Sequence, residues 1–162
     1  MSTIEDFRRD TRAWLEAHCP QSMRSPTPDG DLVWGGRTVE FTTEDQRLWF
    51  ERMRDKGWVC PAWPVEYGGG GLSAEQNAVL ESEMRRLRCR PPQINLGVWM
   101  LGPVVLEFGS EEQKRALLPP MARGEIRWCQ GYSEPGAGSD LASVRTTAVR
   151  GTDAQGDHYI VN

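Results

Sequence analysis

The sequence predicts a mainly α chain followed by β: a bundle of about five helices, then the first strands of a truncated β-barrel-like domain. Three observations carry that reading. Hydroxyl residues stand three positions ahead of an acid or amide just before several apolar stretches, which is how capped helices begin. Prolines and glycines gather between those stretches. After Gly124 the three-and-four spacing stops, and short β-prone runs flank a glycine-rich loop. The chain thus divides into a helical domain over residues 1–125 and an incomplete β domain over 126–162.

The elements follow in order. Ser2-x-x-Glu5 has the form of a capping box. Ile4, Phe7, Thr11, Trp14, Leu15 and His18 then line one face of a helix over residues 3–18, which Pro20 stops. Residues 20–40, rich in proline and glycine, read as a long loop. Thr43-x-x-Gln46 opens a second helix, with Leu48, Trp49, Phe50 and Met53 as its apolar face and Gly57 at its C-terminal end. Gly57–Ser73, with two prolines and four consecutive glycines, excludes regular structure.

Ser73-x-x-Gln76 opens a third helix with Leu80, Met84 and Leu87 in register. Ile94–Phe108 is apolar on almost every side and reads as a buried helix that Pro103 kinks or breaks and Gly109 caps. Ser110-x-x-Gln113 opens a fifth, with Glu111 and Glu112 in its first turn and Pro119-Pro120 as its end. Strands are expected at Arg127–Tyr132, Thr146–Val149 and His158–Val161, the last two around a turn at Gly151–Gly156. Trp14, Trp49 and Trp99 fall in helices and are expected in the core.

Composition narrows the function classes. Apolar side chains make up 38% and charged ones 26% of the 162 residues, which suits a folded domain and argues against disorder. The net charge is −4, and neither part has the basic excess of a nucleic-acid binder. The one basic cluster, Arg85, Arg86, Arg88 and Arg90, reads as a solvated helix end. No apolar run approaches the ~18 residues of a membrane helix. The first twenty residues lack the apolar stretch of a signal peptide, so a cytoplasmic protein with reduced cysteines is expected. Cys19, Cys60, Cys89 and Cys129 lie far apart, and with only two histidines a metal site is not expected.

The segment with the most chemistry is Gln130-Gly131-Tyr132-Ser133-Glu134-Pro135-Gly136-Ala137-Gly138-Ser139-Asp140. It sets the Tyr132, Ser133 and Ser139 hydroxyls beside backbone that a ligand can approach closely. Successive N–H groups there can form an anion nest, which suits a phosphate-bearing ligand. A tight β-turn with no ligand explains the same features equally well. The loop is not G-x-G-x-x-G and has no P-loop lysine, so a Rossmann or Walker site is disfavoured. The Gly68–Gly71 run, with no basic residue beside it, reads as a structural turn rather than a phosphate cradle.

YSEPGAGSDLAS closely resembles the flavin-binding motif of the acyl-CoA dehydrogenase family. The likeness extends along the chain. Gly109-Ser110-Glu111-Glu112-Gln113-Lys114 with Leu118-Pro119 is similar to the family's GxEEQK…LP segment, and Pro64-Val65-Glu66-Tyr67-Gly68-Gly69 to its P-x-E-Y-G-G loop. DHYIVN at residues 157–162 resembles the strand that precedes the family's G-x-K-x-W segment, and WCQGYSEPGAGSD looks most like bacterial members.

The resemblance implies an FAD enzyme of lipid metabolism, of the fatty acid β-oxidation type, that desaturates the Cα–Cβ bond of an acyl-CoA thioester. Electrons would pass on to a separate electron-transfer acceptor. Gln130, Gly131, Tyr132 and Ser133 would lie along the flavin, with Ser133 standing where threonine is commoner. Gly138 and Ser139 would lie near the pyrophosphate, and Ser139 would also touch the acyl-CoA. No catalytic residue is assigned within the chain, because the family's catalytic glutamate comes from its C-terminal domain. Glu134 is read as structural. The sequence therefore reads as the N-terminal piece of a longer protein, inactive alone and a homo- or hetero-oligomer when whole. Two alternatives keep the fold or drop the chemistry: a related flavin monooxygenase or nitroalkane oxidase, and a non-catalytic subunit or interaction module.

Overall fold

The computed structural model describes residues 3–154 and 156–162. Among the described residues five α-helices precede one antiparallel strand pair, which is the expected order of elements. The chain separates into two compact units that meet in sequence between Cys129 and Gln130.

In the first unit, α1 spans Ile4–His18, α2 Glu44–Asp55, α3 Ala74–Leu87, α4 Gly102–Phe108 and α5 Glu111–Ala122. Their starts are local chemistry. Ser73 and Ser110 each accept the N–H of the amide residue three positions on, and that amide reaches back to the serine's own N–H. Thr43 accepts from Gln46 in the same way. The capping residue of α1 is Thr3, paired with Asp6. Ser2, the expected one, lies outside the described residues.

α1 packs along α3, and the first core cluster forms there and against α2, around Leu15, Trp49, Met53 and Leu80. Trp49 is fully buried, and its indole N–H donates to the Arg90 carbonyl at 3.0 Å. Trp14 packs against this cluster from its edge. A second cluster, with Trp63, Val105, Leu118 and Met121, joins α4 and α5.

Between α2 and α3 the chain folds on itself. The N–H groups of Gly68, Gly69, Gly70 and Gly71 donate to Val65, Pro64, Cys60 and Trp63 carbonyls at 2.8–3.2 Å. A Cβ on Gly69 would fall 2.2 Å from the Trp63 carbonyl oxygen, so only glycine fits. With all four N–H groups spent internally, none is left to cradle a phosphate, and the run is a structural turn.

The structure corrects several expectations. The Ile94–Phe108 segment is not a buried helix. A π-helical turn, Gly97–Leu101, leads into α4, which carries Pro103 in its first turn where no N–H is needed. Its inner side seats indole rings directly on glycine backbone: a Cβ at Gly102 would lie 2.1 Å from the Trp63 ring, and one at Gly97 2.4 Å from Trp128. Trp99, Val104 and Phe108 instead face out, at 61%, 53% and 76% exposure. Trp99 is therefore not a core residue.

α5 runs through Pro119 and Pro120 rather than ending at them. Proline forfeits a helical N–H bond. The last turn survives because Leu118, Met121 and Ala122 are buried, and because Arg123, Gly124 and Glu125 N–H groups close onto the carbonyls of residues 119–121 at 2.9–3.0 Å.

Arg127–Tyr132 forms no strand. The Ile126 carbonyl accepts from the buried Asn95 amide at 2.8 Å, a side-chain partner where a sheet would use a neighbouring strand. The basic cluster is not wholly solvated either. Arg86 binds Glu83 and Glu16, and Arg90 forms a half-buried ion pair with Asp31 at 2.5 Å.

In the second unit, β1 (Ala148–Asp153) pairs antiparallel with β2 (Gly156–Val161), in register from Ala148 opposite Val161 to Asp153 opposite Gly156. The expected turn at Gly151–Gly156 is narrower than predicted, since Gly151 to Asp153 belong to β1; Gln155 lies outside the described residues. Arg150 and Thr152 both bond Asp157 across the pair, at 2.5 and 2.8 Å.

Candidate functional site

The loop from Gln130 to Thr146 is built on a small number of internal bonds. Glu134 and Ala137 exchange backbone hydrogen bonds at 2.9 and 3.1 Å, which closes a tight turn around Pro135 and Gly136. The Glu134 carboxylate then reaches forward. It accepts the Arg145 and Thr146 N–H groups at 2.6 and 2.8 Å and the Thr146 hydroxyl at 2.5 Å. Those donors, the Thr146 hydroxyl foremost, hold its carboxyl below the ordinary glutamate range. It is a fixed acceptor that spans the loop, and it stays ionised.

The far end is held by Asp140 and Ser143. The Asp140 carboxylate accepts the Ala142 N–H at 3.2 Å and starts a single 3-10 turn, Leu141–Ser143. The Ser143 hydroxyl donates to the Gly136 and Asp140 carbonyls at 2.8 and 3.0 Å. Sequence reasoning missed both clamps. The Asp-x-Ala pattern was a readable signal for the first; nothing local announced the second.

Inside this frame the six candidate residues, Gln130, Gly131, Tyr132, Ser133, Gly138 and Ser139, are all exposed, Tyr132 at 84%. Ser133 and Gly138 come together: the Ser133 hydroxyl lies 3.7 Å from where a Cβ on Gly138 would stand. Among the described residues, no hydrogen bond engages the side chains of Gln130, Tyr132, Ser133 or Ser139. The same holds for the N–H groups of Gly136, Gly138 and Ser139.

The glycines are the informative feature. Gly57, Gly69, Gly97 and Gly102 are small because protein atoms crowd them. At Gly131 and Gly136 a Cβ would meet no protein atom within 4 Å, and neither residue has a positive φ. Neither internal packing nor backbone conformation demands glycine at these two positions. A ligand that approaches the backbone closely would. Free N–H groups, unspent hydroxyls and an exposed aromatic ring fit a flat, phosphate-bearing group such as FAD.

The loop holds no free acid–base pair. Glu134 and Asp140 are both committed to backbone N–H groups. His158, on β2, is 3.2 Å from the Gly156 carbonyl and 3.8 Å from Asp153. His18 stacks on Trp14 and meets its carbonyl at 2.8 Å. No group of three or more metal-ligating side chains occurs among the described residues, and no helix there is long and apolar enough to cross a membrane.

Comparison with known proteins adds an independent line. The family model for the acyl-CoA dehydrogenase N-terminal domain matches residues 3–125. Acyl-CoA dehydrogenase IpdE1 of Mycobacterium tuberculosis is 38% identical over 163 aligned positions that cover all of this chain and 40% of that protein. The ChsE4–ChsE5 complex from Mycobacterium tuberculosis matches 98% of this chain and 36% of its own at 31% identity, with a TM-score of 0.59. An acyl-CoA dehydrogenase complexed with FAD from Bacillus anthracis matches the whole chain and 25% of its own at 25% identity, with a TM-score of 0.55. The chain thus spans well under half the length of the proteins it matches.

Proposed function

The chain belongs to the acyl-CoA dehydrogenase family, and from that premise we propose that the whole protein is an FAD-dependent oxidoreductase that desaturates the Cα–Cβ bond of an acyl-CoA thioester. The observation that carries the flavin assignment is the pair of unexplained glycines, Gly131 and Gly136, beside unspent N–H groups and hydroxyls. A relative, the acyl-CoA dehydrogenase from Bacillus anthracis, is described as complexed with FAD.

In this reading Gln130, Gly131, Tyr132 and Ser133 lie along the flavin ring. The Ser133 hydroxyl keeps the donor and acceptor that the motif's usual threonine would supply. Gly138 and Ser139 present N–H groups to the pyrophosphate, and Ser139 also meets the acyl-CoA. FAD would supply the hydride-accepting chemistry. Glu134 and Asp140 do not take part in proton transfer. They fix the loop in one conformation before the cofactor arrives, so less conformational freedom is lost on binding.

The carboxylate that takes the Cα proton is proposed to lie outside residues 1–162, so these residues alone are catalytically inactive. The full assembly is proposed as a homo- or hetero-oligomer, a reading that the ChsE4–ChsE5 complex supports. A domain boundary near residue 125, cytoplasmic location and a separate electron acceptor belong to the same proposal.

The test is anaerobic titration of the full-length protein with acyl-CoA thioesters. Purified protein that carries flavin, and whose oxidised flavin absorbance bleaches on addition of a saturated acyl-CoA, supports the reading. A protein that takes up no FAD sinks it. One that holds FAD but is reduced by no CoA thioester removes the dehydrogenase assignment and returns the monooxygenase or oxidase alternative.

A further inference from the structure

The basic run at the end of α3 is only partly spent on ion pairs. Glu83 and Glu16 hold Arg86, and Asp31 holds Arg90. Arg85 has only a loose, exposed contact with Glu81 at 3.6 Å. Among the described residues no acid or other acceptor engages the Arg88 guanidinium. Arg88 also stands in a left-handed conformation, φ 57° and ψ 33°, the one non-glycine residue with positive φ among those described. Its N–H closes α3 onto the Arg85 and Met84 carbonyls, at a capping position that glycine fills without strain. Helix termination therefore explains neither the arginine nor its unpaired charge. Strain kept at such a position points to a use for the side chain.

Arg85 and Arg88 line a surface cleft of about 460 Å3 together with Ser25, Pro26, Thr27 and Pro91. Its walls are fixed before any ligand arrives. Arg90 donates to the Ser25 hydroxyl from Nη2 at 2.9 Å and to the Ser25 carbonyl from Nε at 3.3 Å. Its Nη1 holds Asp31 at 2.5 Å, and its backbone N–H donates to the Met23 carbonyl at 2.9 Å. One residue thus ties the 23–31 segment to the exit of α3. Within this frame Thr27 is half-buried, and neither its hydroxyl nor its N–H makes a hydrogen bond among the described residues. One cleft therefore gathers an unpaired guanidinium, a loosely paired one, two unspent donors and two flat proline rings.

We propose that this cleft binds the phosphate monoester of a small organic molecule. The planar Arg88 fork takes two phosphate oxygens, Arg85 adds a second cation, and Thr27 donates to a remaining oxygen. The organic body rests on the rings of Pro26 and Pro91. Charge favours a phosphate over a carboxylate, since a monoester near neutral pH carries close to two negative charges and meets two guanidinium groups. Volume favours an ester over free phosphate, because the cleft lies in the size range of small-molecule sites and exceeds what one ion fills. The chain as a whole carries a net charge of −4, so the attraction is local to this cleft. The site uses no residue of the Gln130–Thr146 loop and does not rest on the flavin assignment.

The experiment titrates the full-length protein, with FAD in excess, with AMP, inorganic phosphate and adenosine by isothermal calorimetry, and repeats the AMP titration on Arg88→Gly. AMP should bind about tenfold more tightly than phosphate, and adenosine should give no measurable heat. AMP should also slow hydrogen exchange at Thr27, whose N–H is otherwise free. Arg88→Gly should weaken AMP by about tenfold or more, while its urea midpoint holds or rises because glycine relieves the left-handed strain. A merely structural arginine would not separate binding from stability in this way. Thr27→Val should weaken AMP severalfold. Equal AMP affinity in wild type and Arg88→Gly puts the binding at another site and overturns the proposal. So does AMP that binds no more tightly than phosphate, adenosine that binds as well as AMP, or AMP that gives neither heat nor protection at Thr27. The wild-type titrations and exchange map decide the matter even if the glycine variant fails to fold.

Discussion

Replacing Glu83 by glutamine should weaken the helical unit measurably. Glu83 sits on α3 at 2% exposure, yet it is ionised. Arg12 clasps it with two hydrogen bonds, both 2.9 Å, Arg86 adds one at 2.7 Å, and Arg8 reaches it at 3.4 Å. The Arg12 hydrogen bond, the largest influence, and the Arg86 contact hold its carboxyl at about 2, against an ordinary 4.5. That difference corresponds to about 3 kcal/mol. The three arginine side chains are 33–46% exposed and can rehydrate once the charge is gone, so the loss should be about 2 kcal/mol rather than the 3–5 of a sealed pair.

The sign of the pH dependence follows. The folded value is depressed, so the stabilisation is fully present above about pH 4.5 and is lost as pH falls through the folded value near 2. Urea unfolding, followed by tryptophan fluorescence at pH 7 and again at points down to pH 3, measures it. The expected result is a gap of about 2 kcal/mol between wild type and Glu83→Gln at pH 7 that narrows steadily below pH 4.5. A gap below about 0.5 kcal/mol at pH 7, or one constant with pH, would refute the reasoning, since it would mean that desolvation cancels the pairing.

Four further outcomes are expected. Gly69→Ala drives a methyl group to within 2.2 Å of the Trp63 carbonyl oxygen and should cost about 3 kcal/mol or more by thermal denaturation; Gly136→Ala, with open space around it, should leave the melting point unchanged while reducing the FAD retained by the full-length protein. Asn95→Ala leaves the Ile126 and Trp34 carbonyls and the Gly97 N–H without their partner amide and should cost about 2–4 kcal/mol in urea unfolding. Glu134→Ala should leave the helical unit's unfolding midpoint in place, yet speed hydrogen exchange at the Arg145 and Thr146 amides, whose acceptor is gone.

The sequence by itself determined whatever rests on neighbours within a few positions. Ser73 with Gln76 and Ser110 with Gln113 each exchange two hydrogen bonds within one helical turn, and Thr43 accepts the Gln46 N–H, so their helix starts were readable without any fold. The glycine-rich loop was legible for the same reason, and its motif carried the family. Only tertiary structure decided the rest. α5 passes through two prolines because distant packing buries Met121 and Ala122. An apolar run at Ile94–Phe108 does not reveal which side the rings of Trp63 and Trp128 will cover, so the exposure of Trp99 and Phe108 could not be read from spacing. Glu83 looks like any helix-surface acid until Arg8 and Arg12, more than 70 residues earlier, arrive beside it. Glu134 finds its donors at residues 145 and 146, across a turn whose shape those bonds themselves set. Local hydrogen bonds are specified by adjacent residues, whereas burial and long-range ion pairs depend on which surfaces the folded chain brings together.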